Sequence, residues 1–444
     1  MSLTPICDFV AEYAKKAPLR LHMPGHKGVG SELERFDITE VEGADSLYCP
    51  QGIIAQSMAI AGEIFGADTF YSAEGSSLSI RAMLRLVSLY AAENGRAPIV
   101  AAGRNAHKTF LTAAAMLDVE PIWIYPLEDE SYLSCNITPS RLEDFLSCND
   151  PVAVYLTSPD YPGNMLDIKG LSEVCRRHGV LLLVDNAHGA YLKFLPRSLH
   201  PIDLGADLCC DSAHKTLPAL TGGGYLHVSR SAPSFFAQQA SEAMALFGST
   251  SPSYLILRSL DALNGYLTGG YKERLEGFIS EVDSIKKKLC DNGFTLLGNE
   301  PLKLTLDAPA CGYSGSVLAA LLAEKNIRIE FSDPDIAVMM LTPELGKAGL
   351  EQLLEAILSI PILPAITPLR PRLDRPERAM SVRRAMLSPC ESIPSESCVG
   401  RILAQPTVGC PPAVPPIVSG ERINPSAAEV LSYYGISSCT VVKE

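Results

Sequence analysis

Residues 208–224, LCCDSAHKTLPALTGGG, set a polar segment between a short apolar run and three consecutive glycines. The apolar run at Leu208–Cys210 predicts a buried strand, and Lys215 follows shortly after it. Open α/β sheets bind their ligands at the carboxyl ends of strands, which makes Lys215 a candidate catalytic amine. The segment alone leaves open a solvated loop lysine, so the choice depends on residues elsewhere in the chain.

The upstream sequence alternates between helical and strand patterns. Apolar periodicity indicates helices over residues 53–65 and from Gly75 to about Ala92, with a later helix over residues 254–267. Short apolar runs predict strands at residues 70–73, 98–102, 121–125, 152–157, 180–184, 207–210 and 225–228. Apolar strands separated by helices are typical of a mostly parallel sheet covered on both faces, so we expect an α/β fold.

The composition is that of a globular protein and argues against several other classes. Hydrophobic residues make up 47% and charged residues 20% of the 444 residues, unlike a disordered or fibrous chain. The net charge of −13, without a lysine- or arginine-rich block, argues against nucleic acid as a partner. Thirteen cysteines without a CxxC pair predict reduced thiols, with no metal site and no disulfide scaffold.

The amino-terminal segment and the hydropathy favour a soluble, cytoplasmic protein. Residues 1–28 contain acidic residues and lack the apolar core of a signal peptide. No apolar run approaches the roughly 18 residues that a membrane-spanning helix needs. We therefore expect no membrane association.

Changes in composition along the chain predict four parts. Residues 1–50 have few long apolar runs and are interpreted as an amino-terminal arm, followed by a large domain at 51–250. A linker helix and a small α/β domain are expected at 251–365, where a proline-rich segment marks a boundary. Residues 366–444 form a closing module.

Two features of the large domain favour an anionic ring-shaped ligand. Gly75-Ser76-Ser77 opens a long helix, where backbone N–H groups, the helix dipole and two hydroxyls favour a phosphate, although a serine there is also a routine N-cap. Asp185 ends a fully apolar strand, where a buried carboxylate is costly unless a cation meets it. A protonated pyridine nitrogen is such a cation, and the small Ala187 would let a flat ring lie close. A helix cap or structural ion pair is the alternative for Asp185.

His107 follows another predicted strand and could stack on an aromatic ligand or bond within its loop. Together, a phosphate-binding turn, a carboxylate for a ring nitrogen and the amine of Lys215 are the parts that a pyridoxal phosphate enzyme needs. The combination is more specific than any single member.

The motifs resemble those of the Orn/Lys/Arg decarboxylase family, which has the aminotransferase-like fold type I. The resemblance runs through nearly the whole chain. It is carried by His22–Gly28, Asp37–Glu40, Arg104–Lys108, Asp185–Gly189, Ser212–Leu220, Ser249–Tyr254, Val399–Ile402 and Ser419–Glu421.

The resemblance implies a role for each matching residue. Lys215 would carry pyridoxal 5'-phosphate as a Schiff base, Asp185 would pair with its ring nitrogen, and His107 would stack on the ring. His214 would assist proton transfer. Further cofactor contacts would come from Ser76, Ser77, Ala187, His188 and Ser212, and from Ser249 and Thr250 across the interface of a homodimer with shared active sites.

The chain also departs from the family pattern. Relatives usually have Glu at the position of Asn186, Asn at Glu74 and Gln at Asp211, and Gly222–Gly224 replaces a more polar stretch. Cys410–Pro415 follows the family's Tyr-Pro-Pro-Gly-Ile-Pro pattern only loosely. The departures spare Lys215 and Asp185, so they bear on substrate identity more than on the chemistry.

The leading hypothesis is decarboxylation of a basic amino acid: lysine, arginine or ornithine. An aminotransferase or β-eliminating lyase is the alternative, and Arg328 would then be the carboxylate anchor. A catalytically impaired cofactor-binding relative with a regulatory role is a third hypothesis. The cation at the far end of a basic substrate needs a carboxylate, for which charge alone leaves Glu74, Glu330, Asp333 and Glu421 open. The early position of the first motif leads us to expect no higher-order assembly beyond a dimer.

Overall fold

The protein is described by a computed structural model that covers residues 2–128 and 130–444. The chain divides into two compact units, each built from two separate segments. The first unit comprises Met1–Arg96 and Ile168–Leu275, and the second comprises Ala97–Asp167 and Glu276–Glu444.

Helices occur in both units and differ widely in length. They are α1 (Pro5–Lys16), α2 (Glu32–Phe36), α3 (Ile53–Phe65), α4 (Gly75–Glu93), α5 (Lys108–Leu117), α6 (Pro139–Cys148), α7 (Ile168–His178), α8 (Ala213–Thr216), α9 (Ser234–Ala245), α10 (Tyr254–Thr268), α11 (Tyr271–Asp291), α12 (Gly315–Glu324), α13 (Gly346–Leu358), α14 (Val382–Met386) and α15 (Pro425–Tyr433). Short 3-10 helices lie at Ala190–Phe194, Pro309–Cys311, Pro343–Leu345 and Ser395–Ser397.

The strands alternate with these helices. They are β1 (Ala67–Ser72), β2 (Ile99–Gly103), β3 (Glu120–Ile124), β4 (Ala153–Thr157), β5 (Leu181–Asp185), β6 (Leu208–Asp211), β7 (Gly224–Ser229), β8 (Leu296–Leu297), β9 (Lys303–Asp307), β10 (Phe331–Ser332), β11 (Ile336–Met340), β12 (Glu377–Arg378), β13 (Cys390–Pro394), β14 (Leu403–Gln405), β15 (Glu421–Arg422) and β16 (Ser438–Val442).

The first unit holds four strands in the order β1-β7-β6-β5. Strands β5 and β6 run parallel, and β7 is antiparallel to both β6 and β1. All five residues of β5 are buried, as expected of an apolar strand in a parallel sheet. Because β5 and β6 are parallel, Asp185 and Asp211 close their strands at the same edge of the sheet.

Strand β1 begins earlier than the sequence predicts. We expected a strand at residues 70–73, and β1 starts at Ala67. The polar residues Asp68 and Thr69 conceal its first half. The Thr69 hydroxyl lies 2.9 Å from His227 Nδ1 on β7, so the side chain is buried with a hydrogen-bond partner.

The second unit contains a parallel group in the order β4-β2-β3 and an antiparallel sheet in the order β10-β11-β9-β8. Residues 361–376, the proline-rich segment, form no helix or strand. Beyond them lie two small sheets, with an apolar core that includes Leu403, Ile423 and Val441. The mixed α/β fold with a large, mostly parallel sheet confirms the prediction of fold class.

The amino-terminal helix α1 packs within the first unit. Ile6 and Val10 are fully buried, and the Cys7 backbone N–H donates to Asp261 Oδ2 on α10 at 2.8 Å. Across residues 2–128 and 130–444, no helix combines the length and the apolar composition that a bilayer span requires.

Candidate active site

Lys215 lies on the short helix α8, directly after strand β6. The Lys215 backbone N–H donates to the carbonyl of Ser212 at 3.0 Å, which forms the tight turn that presents the side chain. Its Nζ lies 2.9 Å from Nε2 of the buried His188, which follows strand β5. A cationic amine has only donors, so Nε2 of His188 accepts this bond when Lys215 is charged.

His214 is oriented by the glycine-rich segment. Its Nδ1 lies 2.8 Å from the carbonyl oxygen of Gly223, and its backbone N–H donates to the same oxygen at 3.2 Å. A carbonyl only accepts, so Nδ1 carries the proton of this bond. In the neutral ring, Nε2 is then the basic nitrogen.

Two serine hydroxyls meet at the amino-terminal end of α4. Ser212 Oγ donates to Ser76 Oγ at 2.9 Å, and the helix has no side-chain cap from its N-cap residue Glu74. Helix α4 has 19 residues, and its first N–H groups and dipole favour an anion. The predicted phosphate-binding residues Ser76 and Ser212 therefore lie together in a setting that suits a phosphate, and Ser77 is in the same turn.

The backbone at Gly222–Gly224 lies close to the backbone before α4 and at the end of β6. This close approach explains why these three positions are glycines. The Gly75 N–H donates to the carbonyl of Gly222 at 2.6 Å. A Cβ on Gly222 would lie 2.9 Å from the carbonyl oxygen of Ala73, and one on Gly224 would lie 2.9 Å from the carbonyl oxygen of Asp211. Larger residues would push the strand β7 away from the start of α4.

Asp185 is buried at the carboxyl end of β5, as predicted. Only 3% of the residue is exposed, and its Oδ1 accepts the Ala187 backbone N–H at 3.1 Å. The Cys210 thiol is 3.5 Å from the same oxygen. Burial and the negative charge of Asp185 raise the pKa of this thiol well above its usual value, so it is a neutral neighbour.

Behind these residues, Asp211 is the centre of a fully buried polar network. Its Oδ1 accepts Asn186 Nδ2 at 2.7 Å, and its Oδ2 lies 3.1 Å from His200 Nε2 and 3.2 Å from His227 Nε2. Despite burial, which acts in the opposite direction, the two imidazoles hold the pKa of Asp211 below its usual value. Burial lowers the pKa of His227, so that ring is neutral.

Three residues in and beside this network are of types that can bind a metal ion. Donor atoms of His200, Cys209 and Asp211 lie within 4.8 Å of one another. The Asp211 carboxylate already accepts from protein donors on both oxygens, and burial raises the pKa of the Cys209 thiol well above its usual value. The hydrogen bonds therefore account for the arrangement without a metal.

His107 belongs to the second unit, whereas the other predicted site residues belong to the first. It is the N-cap of α5, and its Nδ1 accepts the Thr109 backbone N–H at 3.1 Å. Ser249 and Thr250 are exposed in the loop before α10. The Ser249 N–H donates to Glu74 Oε1 at 2.7 Å, which ties this loop to the start of α4.

The sequence left four carboxylates open as binding partners for the cation at the far end of a basic substrate. These carboxylates differ in the protein groups that they contact. Glu421 is paired with Arg104 at 2.9 Å, Glu330 accepts the Tyr161 hydroxyl at 2.7 Å, and Glu74 accepts the Ser249 N–H. Asp333 Oδ2 has no hydrogen-bond partner among the described residues. Arg328, the anchor expected for an aminotransferase, is exposed and donates to the Ala323 carbonyl at 3.3 Å, as a residue at the end of a helix does.

Sequence reasoning missed the histidine partners of Asp211. His200 and His227 lie in separate segments without a recognisable motif, so nothing in their spacing indicated that both contact Asp211. The signal that could have found the network was the pair of family departures at Asn186 and Asp211.

Known proteins resemble this chain in sequence and in fold. A family model described as Orn/Lys/Arg decarboxylase, major domain, matches residues 4–298. An arginine decarboxylase of Bacillus subtilis (strain 168) is 29% identical, over 95% of this chain and 91% of the relative. A crystal structure of the Francisella novicida lysine decarboxylase has a TM-score of 0.80 at 16% identity, covering 99% of this chain and 81% of that one.

An alanine–glyoxylate aminotransferase from Nostoc sp. is more distant, with a TM-score of 0.55 at 16% identity, covering 69% of this chain and 85% of that one. At such identities the two solved structures show the fold alone. The family match covers more than half of the sequence, including Lys215, Asp185 and the start of α4. The chain belongs to the Orn/Lys/Arg decarboxylase family.

Proposed function

We propose that the protein is a pyridoxal phosphate-dependent decarboxylase of a basic α-amino acid, releasing CO2 and the corresponding amine. The observation that carries the proposal is the position of Lys215 on the turn that also brings Ser212 to Ser76 at the start of α4. The curated relative named arginine decarboxylase, aligned over 95% of this chain, supports a basic substrate.

The residues present fit the cofactor. Hydroxyls of Ser76 and Ser212 and the first N–H groups of α4 suit its phosphate, with Ser77 in the same turn. The buried carboxylate of Asp185 suits a protonated ring nitrogen, and Ala187 and His188 follow it in the same turn. His107 would stack on the ring, while Ser249 and Thr250 would complete the phosphate pocket from the partner subunit of a homodimer.

When bound, the cofactor supplies an electron sink for the pair released as CO2 leaves. Asp185 holds a proton at the ring nitrogen, which keeps that sink strong. Lys215 would hold the cofactor through its side-chain amine. The Nε2 of His214 and the amine of Lys215 would move the proton to the α-carbon, and His188 would orient that amine whenever it is free.

Several finer assignments belong to the same proposal. We propose a cytoplasmic location and a role in polyamine biosynthesis, for which the thirteen free cysteines and the basic substrate class are the support. The chain parts 1–50, 51–250, 251–365 and 366–444 are proposed as arm, large domain, small domain with its linker helix, and closing module.

A direct test measures CO2 release from arginine, lysine and ornithine by the purified protein with added pyridoxal phosphate. We expect release from at least one of them, and loss of both activity and the yellow colour of the lysine-bound cofactor in Lys215→Ala. If the yellow colour persists in Lys215→Ala, Lys215 is not the residue that binds the cofactor. Keto acid production instead of CO2 would point to an aminotransferase.

A further inference from the structure

Glu74 brings a carboxylate to the end of helix α4 that suits a phosphate. It is the N-cap residue of this helix, immediately before Gly75, at a position where the resemblance to the family leads us to expect Asn. Its side chain makes no capping hydrogen bond to the helix. The dipole at a helix amino terminus stabilises a carboxylate as it stabilises a phosphate. Glu74 is therefore an anion of the protein itself at a position that suits an anionic ligand.

A loop of the same subunit contacts this carboxylate. The Ser249 backbone N–H donates to Glu74 Oε1 at 2.7 Å, and the Ser251 backbone N–H donates to Ser249 Oγ at 3.1 Å. Residues 249–251 are exposed, and Glu74 is partly exposed. The contact between the loop and the start of α4 thus lies at the surface, where a ligand can reach it.

Tyr48, from the segment before α3, packs against the same loop. A Cβ on Gly248 would lie 1.8 Å from Tyr48 Oη, so the hydroxyl lies directly against this glycine. Burial and the charge of Glu74 raise the pKa of Tyr48 to about 12, which keeps the hydroxyl neutral. The loop is therefore positioned by a neutral contact with Tyr48 and by a contact with the charged group of Glu74.

A phosphate at the start of α4 would meet the Glu74 carboxylate as a like charge. The proposed phosphate position is defined by the hydroxyls of Ser76 and Ser212 and by the first N–H groups of α4, which begins directly after Glu74. A phosphate ester carries about 1.5 to 2 negative charges at neutral pH. Because the two anions repel and both accept hydrogen bonds from backbone N–H groups, each weakens the binding of the other.

We propose that Glu74 is an internal competitor of the cofactor phosphate, whose carboxylate holds the Ser249 N–H and the start of α4 until a phosphate displaces it. Glu74 thereby lowers the affinity of the protein for its cofactor. The inference deepens the proposed function, and it rests on that function only for the identity of the phosphate ligand.

The test measures the Kd of pyridoxal phosphate, inorganic phosphate and pyridoxal with the full-length protein after removal of its cofactor. Pyridoxal has the same ring and aldehyde without the phosphate. Glu74→Gln keeps an oxygen for the Ser249 N–H and removes the charge. We expect the Kd of both phosphate-bearing probes to fall roughly 5- to 30-fold, because a unit charge no longer repels the anion. The Kd of pyridoxal should not change.

Glu74→Ala separates the charge from the hydrogen bond. It removes the acceptor as well, which releases the Ser249 N–H for a phosphate, so the gain in affinity should equal or exceed that of Glu74→Gln. Glu93→Gln is the matched control, since it removes the same charge from an exposed position at the other end of α4. A helix rise of about 1.5 Å per residue places Glu93 roughly 27 Å from Gly75, and the three Kd values should not change.

Unchanged or weaker binding of pyridoxal phosphate and inorganic phosphate in both Glu74 variants would overturn the inference. An equal change in the Kd of pyridoxal would also overturn it, because the effect would then not act through the phosphate. A third contrary result is a crystal structure with bound phosphate in which Glu74 Oε1 still accepts the Ser249 N–H.

The same measurements separate this inference from the proposed function. If no amino acid yields CO2 but Glu74→Gln still tightens phosphate binding, the proposed function fails and the internal competitor stands. If CO2 is released from a basic amino acid while the Glu74 variants leave both phosphate Kd values unchanged, the internal competitor fails and the function stands.

Discussion

At the scale of single residues, Asp211 and Asn186 show how two apparent irregularities form one contact. The resemblance to the family marks them as two separate departures, a carboxylate where an amide is expected and an amide where a carboxylate is expected. In the structure, Asn186 Nδ2 donates to Asp211 Oδ1 at 2.7 Å. The hydrogen bond therefore pairs an amide with a carboxylate, and it joins the turn after Asp185 to the strand before Lys215.

Replacing the charge at this contact should destabilise the protein. The Asp211 carboxylate accepts hydrogen bonds from Asn186, His200 and His227. In Asp211→Asn an NH2 group replaces one of its oxygens, so a hydrogen-bond donor faces other donors. Breaking a buried charged network in this way costs about 3–5 kcal/mol, measured as the free energy of unfolding in denaturant. Glu63→Gln, at an exposed ion pair with Arg230, is the control and should cost about 1 kcal/mol or less.

The effect of this substitution should depend on pH with a definite sign. The folded-state pKa of Asp211 is held below its ordinary value of 3.8, so its contribution is fully present above that pH. It is lost as the pH falls below 3.8 towards the folded-state pKa. The stability difference between wild type and Asp211→Asn should therefore be largest near neutral pH and shrink in acid. A constant difference down to pH 3 would contradict this account.

At the scale of elements, the loop at residues 413–421 holds the segment that carries His107. Arg104 donates to the carbonyls of Pro415 at 3.0 Å and Pro416 at 2.9 Å and is paired with Glu421 at 2.9 Å. The Lys108 backbone N–H donates to the carbonyl of Ala413 at 2.8 Å. The loop around residues 413–421 thus fixes both ends of the turn between β2 and α5.

Glu421→Gln tests this connection. Only 6% of the Arg104 side chain and 4% of the Glu421 side chain are exposed, so the substitution leaves a buried guanidinium without its counter-charge. We expect a loss of about 3–5 kcal/mol in the free energy of unfolding. The control Glu377→Gln breaks an exposed pair with Arg422 and should change the stability by about 1 kcal/mol or less. Equal effects of the two substitutions would refute the structural role of the buried pair.

Elements with a strong local signal were predictable, and those defined by distant partners were not. The helix expected at residues 53–65 is α3, and the apolar run before Asp185 is β5, because apolar periodicity reports burial directly. The first half of β1 was missed, because its polar residue Thr69 is buried with a hydrogen-bond partner, His227, that lies far away in the sequence. The candidate lysine, aspartate and serines could be named from the sequence because each belongs to a local motif. The network around Asp211 could not be named, because its members come from distant segments.

At the scale of the whole molecule, the proposed homodimer with shared active sites makes a quantitative prediction. Lys215→Ala removes the attachment point of one subunit, and Ser249→Trp blocks the contribution proposed for its neighbour. Co-expression should give mixed dimers with one intact site, so the activity should recover to roughly one quarter of wild type. No recovery would mean that Ser249 serves its own subunit, where its N–H already contacts Glu74.

Because the first unit is built from two separate segments, it cannot complete its fold until both segments have been synthesised. Strand β1 pairs with β7, with Ala67 opposite Ser229, and the intervening chain includes residues 97–167 of the second unit. On the ribosome, β1 and the apolar face of α4 emerge long before the strand that covers them. A nascent chain that ends before β7 therefore exposes apolar surface that β7 covers in the folded protein.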